Sequence, residues 1–347
     1  MYIRKILVII ALMGAVVGFG FMYYVYNAVF SPNTTFQNEE AYVYVESDGT
    51  FNDVQDQLEP LLEDMTTFTR IAERKGYVNN IKPGKYAIKK GMNNNEIINS
   101  LRSRNLPVDI SFNNQETLGK LAGRIAMQIE ADSVSLLNSF NDQAFLKEAN
   151  FNEDTALAMY IPNSYELFWN TSGEGFRDRM LKEYKRFWNE TRMKRAEAIG
   201  LTPLEVITLA SIVHKETAMV DERPRVAGVY MNRLNKGMLL QADPTVIYAV
   251  KKHAGDFDKV IKRVLYKDLE LDSPYNTYKY VGLPPGPIAM PDISAIDAVL
   301  NYEKNDYFYF VANVKDFGYH KFAKTLSQHN RNKQEYVRWL NSQAIKR

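Results

Sequence analysis

The sequence predicts an α+β protein with one membrane-spanning helix at its N-terminus, and three observations support this prediction. Residues 6–26 form an uncharged apolar run, and about 20 such residues are enough to cross a bilayer once. Residues 41–112 alternate short strand patterns with amphipathic helices, and residues 113–347 continue as a larger mixed α/β region rich in helix patterns. We therefore expect a cytoplasmic tail at 1–5, a transmembrane anchor at 6–26, a linker at 27–40, a small α+β module at 41–112 and a larger domain at 113–347.

The composition is that of an ordinary globular protein. Of 347 residues, 46% are hydrophobic and 24% are charged. The net charge of +2 argues neither for nor against an anionic partner, and no other feature indicates nucleic acid, so no nucleic-acid partner is expected. The chain has no cysteine, which excludes disulfides, thiol catalysis and cysteine-ligated metal sites.

The apolar run also predicts an orientation. Arg4 and Lys5 precede it, and positive charges stay on the cytoplasmic side of a spanning helix. A cleaved signal peptide is the alternative, but no small-x-small cleavage site follows the run. We interpret the run as an uncleaved anchor, with the N-terminus in the cytoplasm and the remaining chain outside it.

Turn and cap residues predict the elements beyond the anchor. Thr50 and Asp53 have the spacing of a helix cap, strands are expected at 41–45 and 86–88, and a further strand is expected at 307–312. Residues 159–169 are predicted to form an aromatic loop, and proline and glycine interrupt regular structure in three stretches after residue 240. Long ordered loops of this kind are usually functional.

One predicted helix carries a glutamate where hydrophobic residues are expected. Thr202, Pro203 and Glu205 have the spacing of a capping box with proline in the first turn. On the helix that follows, Glu216 falls inside the apolar arc. The opposite, polar side is predicted to comprise Thr208, Ser211 and Lys215.

A carboxyl group on an apolar face has two interpretations. It can be a buried glutamate held by a salt bridge, here to Arg223, Arg225 or Arg233. Alternatively, apolar surroundings raise its pKa, so that it stays protonated near neutral pH and serves as a general acid. Cleavage of a glycosidic bond is a reaction that often requires such an acid.

Other chemistries lack their residues. His214-Lys215-Glu216 has the H-x-E spacing of zinc deaminases, but those enzymes also need a P-C-x-x-C ligand pair. The H-E-x-x-H, G-x-S-x-G and S-x-x-K motifs and the phosphate-binding glycine loops are absent from the sequence. We therefore predict neither a metal site nor a cofactor.

Three segments together resemble a known family. Residues 209–250 read LASIVHKETAMVDERPRVAGVYMNRLNKGMLLQADPTVIYAV, residues 273–291 read SPYNTYKYVGLPPGPIAMP, and residues 309–330 read YFVANVKDFGYHKFAKTLSQHN. In this order they resemble the YceG-like family, the MltG-type endolytic murein transglycosylases. The order of elements in residues 41–112 also resembles the LysM-like module of some cell-wall enzymes.

The resemblance implies a reaction. Members of this family cleave the β-1,4 bond between N-acetylmuramic acid and N-acetylglucosamine in nascent peptidoglycan strands without water, and they leave a 1,6-anhydromuramyl end. One glutamate acts as general acid and then as general base. The family motif usually reads A-S-I-[IV]-E-K-E-T, and His214 stands in place of its first glutamate. We assign the catalytic role to the second, Glu216.

The resemblance also implies a location, partners and substrate contacts. The catalytic part would lie on the periplasmic side of a bacterial cytoplasmic membrane, next to peptidoglycan synthases of the elongation or division machinery. No cofactor is implied. The substrate-binding residues implied by the matching motifs are Gln241, Asp243, Tyr248, Ser273, Tyr275, Asn276, Thr277, Tyr278, His320, Phe322, His329 and Asn330.

Two alternatives stay open at this point. A hydrolase of the muramidase type would use water in place of the muramyl hydroxyl. A non-catalytic peptidoglycan-binding scaffold is the other alternative, and the departure at His214 is its support.

Overall fold

The computed structural model describes residues 2–342, and the chain divides into two units. The first unit takes the residues up to 110 together with 128–131 and 165–171, and the second takes 111–127, 132–164 and the residues from 172 onward. Met1 and residues 343–347, which complete the predicted tail and the predicted larger domain, lie outside the described residues. The mixture of helices and short strands confirms the α+β class.

The first helix is longer than the predicted anchor. Helix α1 spans Tyr2–Phe30, and its most apolar window has a mean hydropathy of 2.5. None of its residues is buried against the protein. Helix α1 is therefore long and apolar enough to cross a membrane.

The first unit is a small α+β layer. Its two strands pair antiparallel, with Val43 opposite Tyr86, and their inward side chains share one core with Val54, Phe68 and Ile97. The predicted cap at Thr50 and Asp53 is confirmed, because each group bonds the backbone of the other. Its elements are β1 (Glu40–Val45), α2 (Phe51–Leu58), α3 (Met65–Arg74), β2 (Gly84–Lys89) and α4 (Asn94–Ser103).

The segment predicted as a linker is tied to this layer by hydrogen bonds. The Asn94 amide donates to the Ala28 carbonyl at 2.8 Å, and the Asn33 amide donates to the Asn94 side chain at 2.7 Å. The backbone amide of Thr35 donates to the Leu61 carbonyl. Helix α1 therefore continues into the layer through an ordered connection. The LysM-like character of the layer stays a prediction.

The predicted aromatic loop contains a strand. Strand β3 (Pro107–Phe112) pairs with β4 (Asn163–Phe168), and the chain passes between the two units within each strand. The prediction of a loop over 159–169 is therefore wrong for six of its residues. Burial alternates along Tyr165, Glu166 and Leu167, as it does in a strand. The nearby Pro162 argued against a strand in the sequence.

The second unit is mainly helical. Its remaining strands form a hairpin in which Phe310 lies opposite Phe322. The strand expected at 307–312 begins two residues later than predicted, at Tyr309. The elements are α5 (Leu118–Ala126), α6 (Ser133–Phe140), α7 (Gln143–Glu148), α8 (Gly173–Phe187), α9 (Glu190–Ala198), α10 (Pro203–Glu216), α11 (Arg223–Asn235), α12 (Asp243–Ala254), α13 (Tyr266–Leu269), α14 (Ile293–Leu300), β5 (Tyr309–Ala312), β6 (His320–Ala323) and α15 (Leu326–Ser342).

Helix α10 lies at the centre of the second unit. The capping box at Thr202 is confirmed. The prediction of a polar face is wrong for Thr208 and Ser211, which are buried, whereas Lys215 is exposed. The Ser211 hydroxyl donates to the Thr208 carbonyl and accepts the amide of Ile288, so it joins α10 to the proline-rich loop. Small hydroxyl side chains satisfy their hydrogen bonds inside a helix and can be buried there.

The packing of α11 predicts the effect of one substitution. A Cβ atom on Gly228 would overlap the carbonyl oxygen of Glu303, whereas a Cβ on Gly123 in α5 would meet nothing within 4 Å. We expect Gly228→Ala to lower the free energy of unfolding by about 1–3 kcal/mol through overpacking. Gly123→Ala should instead raise it by about 0.5–1 kcal/mol, because alanine favours a helix.

Chemical unfolding of the full-length protein in detergent measures both changes. Equal effects of the two substitutions would contradict the close approach of α11 to residue 303.

Candidate active site

A groove of about 350 Å³ opens in the second unit at the C-terminal end of α10. It brings together the catalytic candidate and five of the predicted substrate-binding residues. The hairpin β5–β6 and the start of α12 form its walls. The groove is lined by Glu216, Tyr230, Arg233, Leu240, Gln241, Asp243, Tyr278, Tyr309, Phe310, Val311, Ala312, His320, Leu326 and His329.

Glu216 is the last residue of α10 and is half-buried at the floor of the groove. The Tyr230 hydroxyl, presented by α11, donates to its carboxylate at 2.5 Å. Burial raises the pKa of Glu216 to about 7, against the opposing effect of the Tyr230 hydrogen bond. The negative end of the helix dipole also disfavours an ionised carboxylate at this position. The group can therefore be protonated at neutral pH.

The arginines that could have neutralised Glu216 bind other groups. Arg223 contacts Asp292 at 3.4 Å, and Arg225 contacts Glu303 at 3.0 Å. Arg233 donates to the backbone carbonyls of Phe308 and Leu240. The salt-bridge interpretation of Glu216 is therefore not supported, and the interpretation as a buried acid is favoured.

Arg233 joins two walls of the groove. Its Nε donates to the Phe308 carbonyl at 2.7 Å, and its Nη1 donates to the Leu240 carbonyl at 2.8 Å. The side chain is largely buried, and its charge favours ionisation of Glu216. A buried guanidinium that binds carbonyls satisfies its donors and fixes the backbone around it.

Asp243 forms a second acidic position in the groove. It is exposed at the first residue of α12 and accepts a hydrogen bond from the Tyr278 hydroxyl at 2.5 Å. Its charge contributes to the raised pKa of Glu216, so the two carboxylates interact electrostatically. Like charges in one site favour protonation of one of them.

His320 is oriented by a buried carboxylate. Glu222 accepts the His320 backbone amide at 2.6 Å and lies 2.8 Å from His320 Nδ1. Burial acts to raise the pKa of Glu222, but the hydrogen bonds from His320 hold it below its usual value. With Nδ1 taken by Glu222, Nε2 is the ring nitrogen left for a ligand.

His329 lies on α15 at the far side of the groove. Its ring stacks on Tyr309, with centroids 5.3 Å apart. Burial lowers the pKa of His329, which favours the neutral ring. Together with Phe310, these rings offer the flat apolar surface that suits the CH face of a sugar.

Buried residues of the segment 273–277 hold the backbone next to the groove in place. The Asn276 amide donates to the carbonyls of Leu269 and Leu271, and the Thr277 hydroxyl bonds the Ala242 amide and lies 2.8 Å from the Thr245 hydroxyl. Tyr275, Asn276 and Thr277 are buried. Burial makes them supports of the loop rather than surface that a glycan could touch.

The other predicted contacts lie outside the groove. Ser273 accepts the Tyr275 amide within its own loop, and Tyr248 lines a neighbouring cavity. Phe322 packs between Tyr307 and Phe310. Asn330 is exposed on α15. The structure does not bring these side chains to the carboxyl group of Glu216.

Gln241 adopts an unusual backbone conformation in the groove wall. Its φ angle is 51°, in the left-handed region that non-glycine residues rarely occupy. The backbone amide of Gln241 donates to the Thr277 carbonyl at 3.0 Å, and its side-chain oxygen accepts a hydrogen bond from Arg233 at 3.4 Å. Strained residues of this kind concentrate at functional sites.

His214 lies away from the groove. Its Nδ1 is 3.2 Å from Asp292, and burial lowers its pKa against the effect of that carboxylate. Asp292 also pairs with Arg223, whose Nη1 donates to Ser294 at 2.6 Å. His214 thus belongs to a polar network beside the end of α10 and not to the residues that line the groove.

Several residues of the site were not predicted from the sequence, among them Tyr230, Glu222, Tyr309 and Phe310. Tyr230 follows Val226 and Val229 at helical spacing and has the pattern of a core aromatic. Glu222 was one of several acids near Glu216, and only the fold brings it to His320, 98 positions further along the chain. Because α11 follows α10 closely in the sequence, a contact between Tyr230 and Glu216 could have been suggested. No local signal marks the contact between Glu222 and His320.

Comparison with known proteins gives consistent results. A sequence profile of the YceG-like family matches residues 43–335. An endolytic murein transglycosylase of Bacillus subtilis is 34% identical over 271 residues, which cover 73% of this chain and 72% of the relative. An endolytic murein transglycosylase of Streptococcus pneumoniae is 29% identical over 303 residues, covering 78% of this chain and 53% of the relative.

A solved structure is also similar. The crystal structure of a YceG-like protein from Listeria monocytogenes superposes with a TM-score of 0.56 at 29% identity. The match covers 85% of this chain and 99% of that one.

The raised pKa of Glu216 predicts how stability depends on pH. Between its ordinary value of 4.5 and about 7, the unfolded chain releases a proton that the folded protein retains, so rising pH destabilises the fold. Relative to wild type, Glu216→Gln should therefore gain stability as pH rises through this window and level off above it.

Thermal unfolding of both proteins at about pH 5, 7 and 9 measures this difference. Glu197→Gln, which replaces an exposed glutamate of α9, controls for the loss of a carboxylate. If the Glu216 and Glu197 variants behave alike, the acid of the groove is not buried in solution.

Proposed function

Because the chain belongs to the YceG-like family, we propose that it is a membrane-anchored endolytic peptidoglycan transglycosylase. It cleaves the β-1,4 bond between N-acetylmuramic acid and N-acetylglucosamine and forms 1,6-anhydromuramyl ends. The observation that carries this proposal is the half-buried Glu216, whose pKa is raised to about 7 by burial. The names of the curated relatives agree with it.

In the first step, protonated Glu216 donates its proton to the glycosidic oxygen. The bond between that oxygen and C1 of the muramyl ring breaks, and the N-acetylglucosamine side leaves as an alcohol. Positive charge develops on the muramyl ring, and the newly ionised Glu216 stabilises it. The hydrogen bond from Tyr230 favours the ionised carboxylate and so assists the proton transfer.

In the second step, the muramyl C6 hydroxyl attacks C1. The carboxylate of Glu216 accepts the proton of this hydroxyl, which restores the acid for the next cycle. Because the nucleophile belongs to the same sugar ring, it is already close to the reacting carbon. The reaction therefore needs neither water nor a second carboxylate.

The rest of the groove orients the strand. Tyr278, Tyr309 and Phe310 face the sugar rings, and Gln241 supplies an amide for hydrogen bonds to N-acetyl groups. His320, held by Glu222, presents Nε2 to a sugar hydroxyl. These contacts position the bond that is cleaved.

We further propose that α1 anchors the enzyme in the cytoplasmic membrane with its N-terminus in the cytoplasm. The apolar length of α1 and the preceding Arg4 and Lys5 support this orientation. The groove would then face nascent strands outside the membrane, beside the synthases that extend them. Glycan binding by the LysM-like layer belongs to the same proposal.

Asp243 supports a second candidate function. It is a carboxylate in the same groove as Glu216 and could activate water, as in an inverting glycosidase. The protein would then be a muramidase-type hydrolase with a reducing-end product. The scaffold alternative loses its support, because His214, where the family motif has its first glutamate, does not line the groove.

Glu216→Gln should abolish cleavage of peptidoglycan strands, lowering the rate by at least about 100-fold, while binding to sacculi persists. Glutamine keeps the size of the side chain but holds no transferable proton. Mass analysis of digests by the full-length protein in detergent measures cleavage, and co-sedimentation of the protein with sacculi measures binding. Wild type that binds strands and releases no more product than this variant would support the scaffold function.

Digestion in heavy-oxygen water separates the two enzyme candidates. The transglycosylase product is lighter than the hydrolase product by one water and carries no label. Asp243→Asn should retain anhydro product formation, since Asp243 transfers no proton in the transglycosylase reaction. Labelled reducing ends from wild type, lost in this variant, would establish the hydrolase instead.

Tyr230→Phe should move the pH dependence of cleavage. Without the hydroxyl that lowers the pKa of Glu216, the acid stays protonated to higher pH, so the fall in kcat/KM on the alkaline side shifts upward. Tyr280→Phe is the matched control, because that exposed tyrosine bonds Asp272 outside the groove. An unmoved alkaline limb in an active Tyr230→Phe variant would contradict the proposed contact.

A further inference from the structure

A second cavity, of about 510 Å³, opens in the same unit next to the groove. It lies between α5, α12 and the segment that follows α12. None of the residues that line it lines the groove, and the proposed reaction uses none of them.

The cavity has an excess of positive charge. Glu116 lies 2.9 Å from Lys215 and 2.7 Å from Lys251, so one carboxylate faces two ammonium groups. Burial acts to raise the pKa of Glu116, but these two lysines hold it below its usual value. The Lys251 side chain is only 12% exposed. A buried cation without full compensation is costly, which favours binding of a further anion.

The rim of the cavity repeats this pattern. Lys120 lies 2.9 Å from Asp258 and donates to the Phe257 carbonyl at 3.0 Å, and Lys259 adds a further charge. Four lysines thus face two carboxylates around the cavity. At neutral pH the lining is therefore cationic.

The remaining lining is apolar. Ile247, Tyr248 and Phe257 form one wall, and Val260 is 78% exposed at the rim. Ligand sites usually combine apolar lining of this kind with a few charged or polar groups. The cavity therefore suits a ligand with both an anionic group and alkyl carbon.

Two pairs of neighbouring residues link the cavity to the groove. Lys215 lines the cavity, and its neighbour Glu216 lines the groove. In the same way, Pro244 lines the cavity and its neighbour Asp243 lines the groove. The end of α10 and the start of α12 thus form a shared wall. A strand held in the groove could reach the cavity with a side branch near the bond that is cleaved.

We propose that this cavity binds the peptide branch of the muramyl residue through a peptide carboxylate. The proposal rests on the proposed function, since it assigns the glycan backbone to the groove and the branch to the cavity. Peptide branches of peptidoglycan carry free carboxylates beside short alkyl side chains, which matches the lysines and the apolar wall. The protein would accordingly prefer strands that bear peptides over strands that lack them.

Binding to the full-length Glu216→Gln protein in detergent tests the proposal without catalysis. The probes are soluble glycan strands with intact peptides and the same strands after an amidase has removed the peptides. Peptide-bearing strands should bind more tightly by about fivefold, the contribution of a favourable exposed ion pair. Lys259→Glu on this background should remove most of the difference between the two probes.

Lys262→Glu is the matched control, because Lys262 is an exposed residue of the same segment that does not line the cavity. It changes the net charge equally and should preserve the difference. Lys251→Met is a second variant that should reduce the difference from inside the cavity. Equal binding of both probes to the unaltered background would overturn the proposal even if wild type cleaves strands.

A competition experiment identifies the source of the anion. Muramyl peptide should displace peptide-bearing strands, whereas inorganic phosphate at the same concentration should not. Displacement by phosphate alone would overturn the peptide assignment and indicate a phosphate-bearing ligand. If binding behaves as expected but wild type cleaves no strand, the cavity assignment stands and the proposed reaction fails.

Discussion

The hydrogen bond from Tyr230 to Glu216 is the interaction around which the second unit is organised. It joins the C-terminal end of α10 to α11. Residues 206–213 of α10 are buried on every side, so the position of Glu216 is fixed by the core rather than by a surface loop. A carboxyl group held in this way by packing keeps its geometry while its proton is exchanged.

Two competing effects act on that carboxyl group. Burial and the nearby Asp243 favour the protonated form, while Tyr230, His320 and Arg233 favour the ionised form. The outcome, a pKa of about 7, lies where a group can both donate and accept a proton. Arg233 also holds the hairpin through Phe308, so the residue that adjusts the charge of the groove also holds part of its wall in place.

The sequence carried the local features of this fold but not its long-range contacts. Capping residues such as Thr50 and Thr202 located the first residues of their helices. The position of Glu216 on an apolar face indicated an unusual carboxyl group. The burial of Ser211 and Thr277 could not be predicted, because their hydroxyl groups are satisfied by the distant Ile288 and by Ala242. The pairing of Glu222 with His320 likewise depends on tertiary structure.

The backbone conformation at Gln241 limits which residues suit this position. A glycine at position 241 would adopt the left-handed φ of 51° without steric cost, so the backbone conformation is compatible with glycine. Glycine would also delete an amide that borders Glu216 in the groove. The conformation of the backbone and the composition of the groove therefore place opposite demands on position 241, because the residue that fits this φ angle best has no side chain to offer the groove.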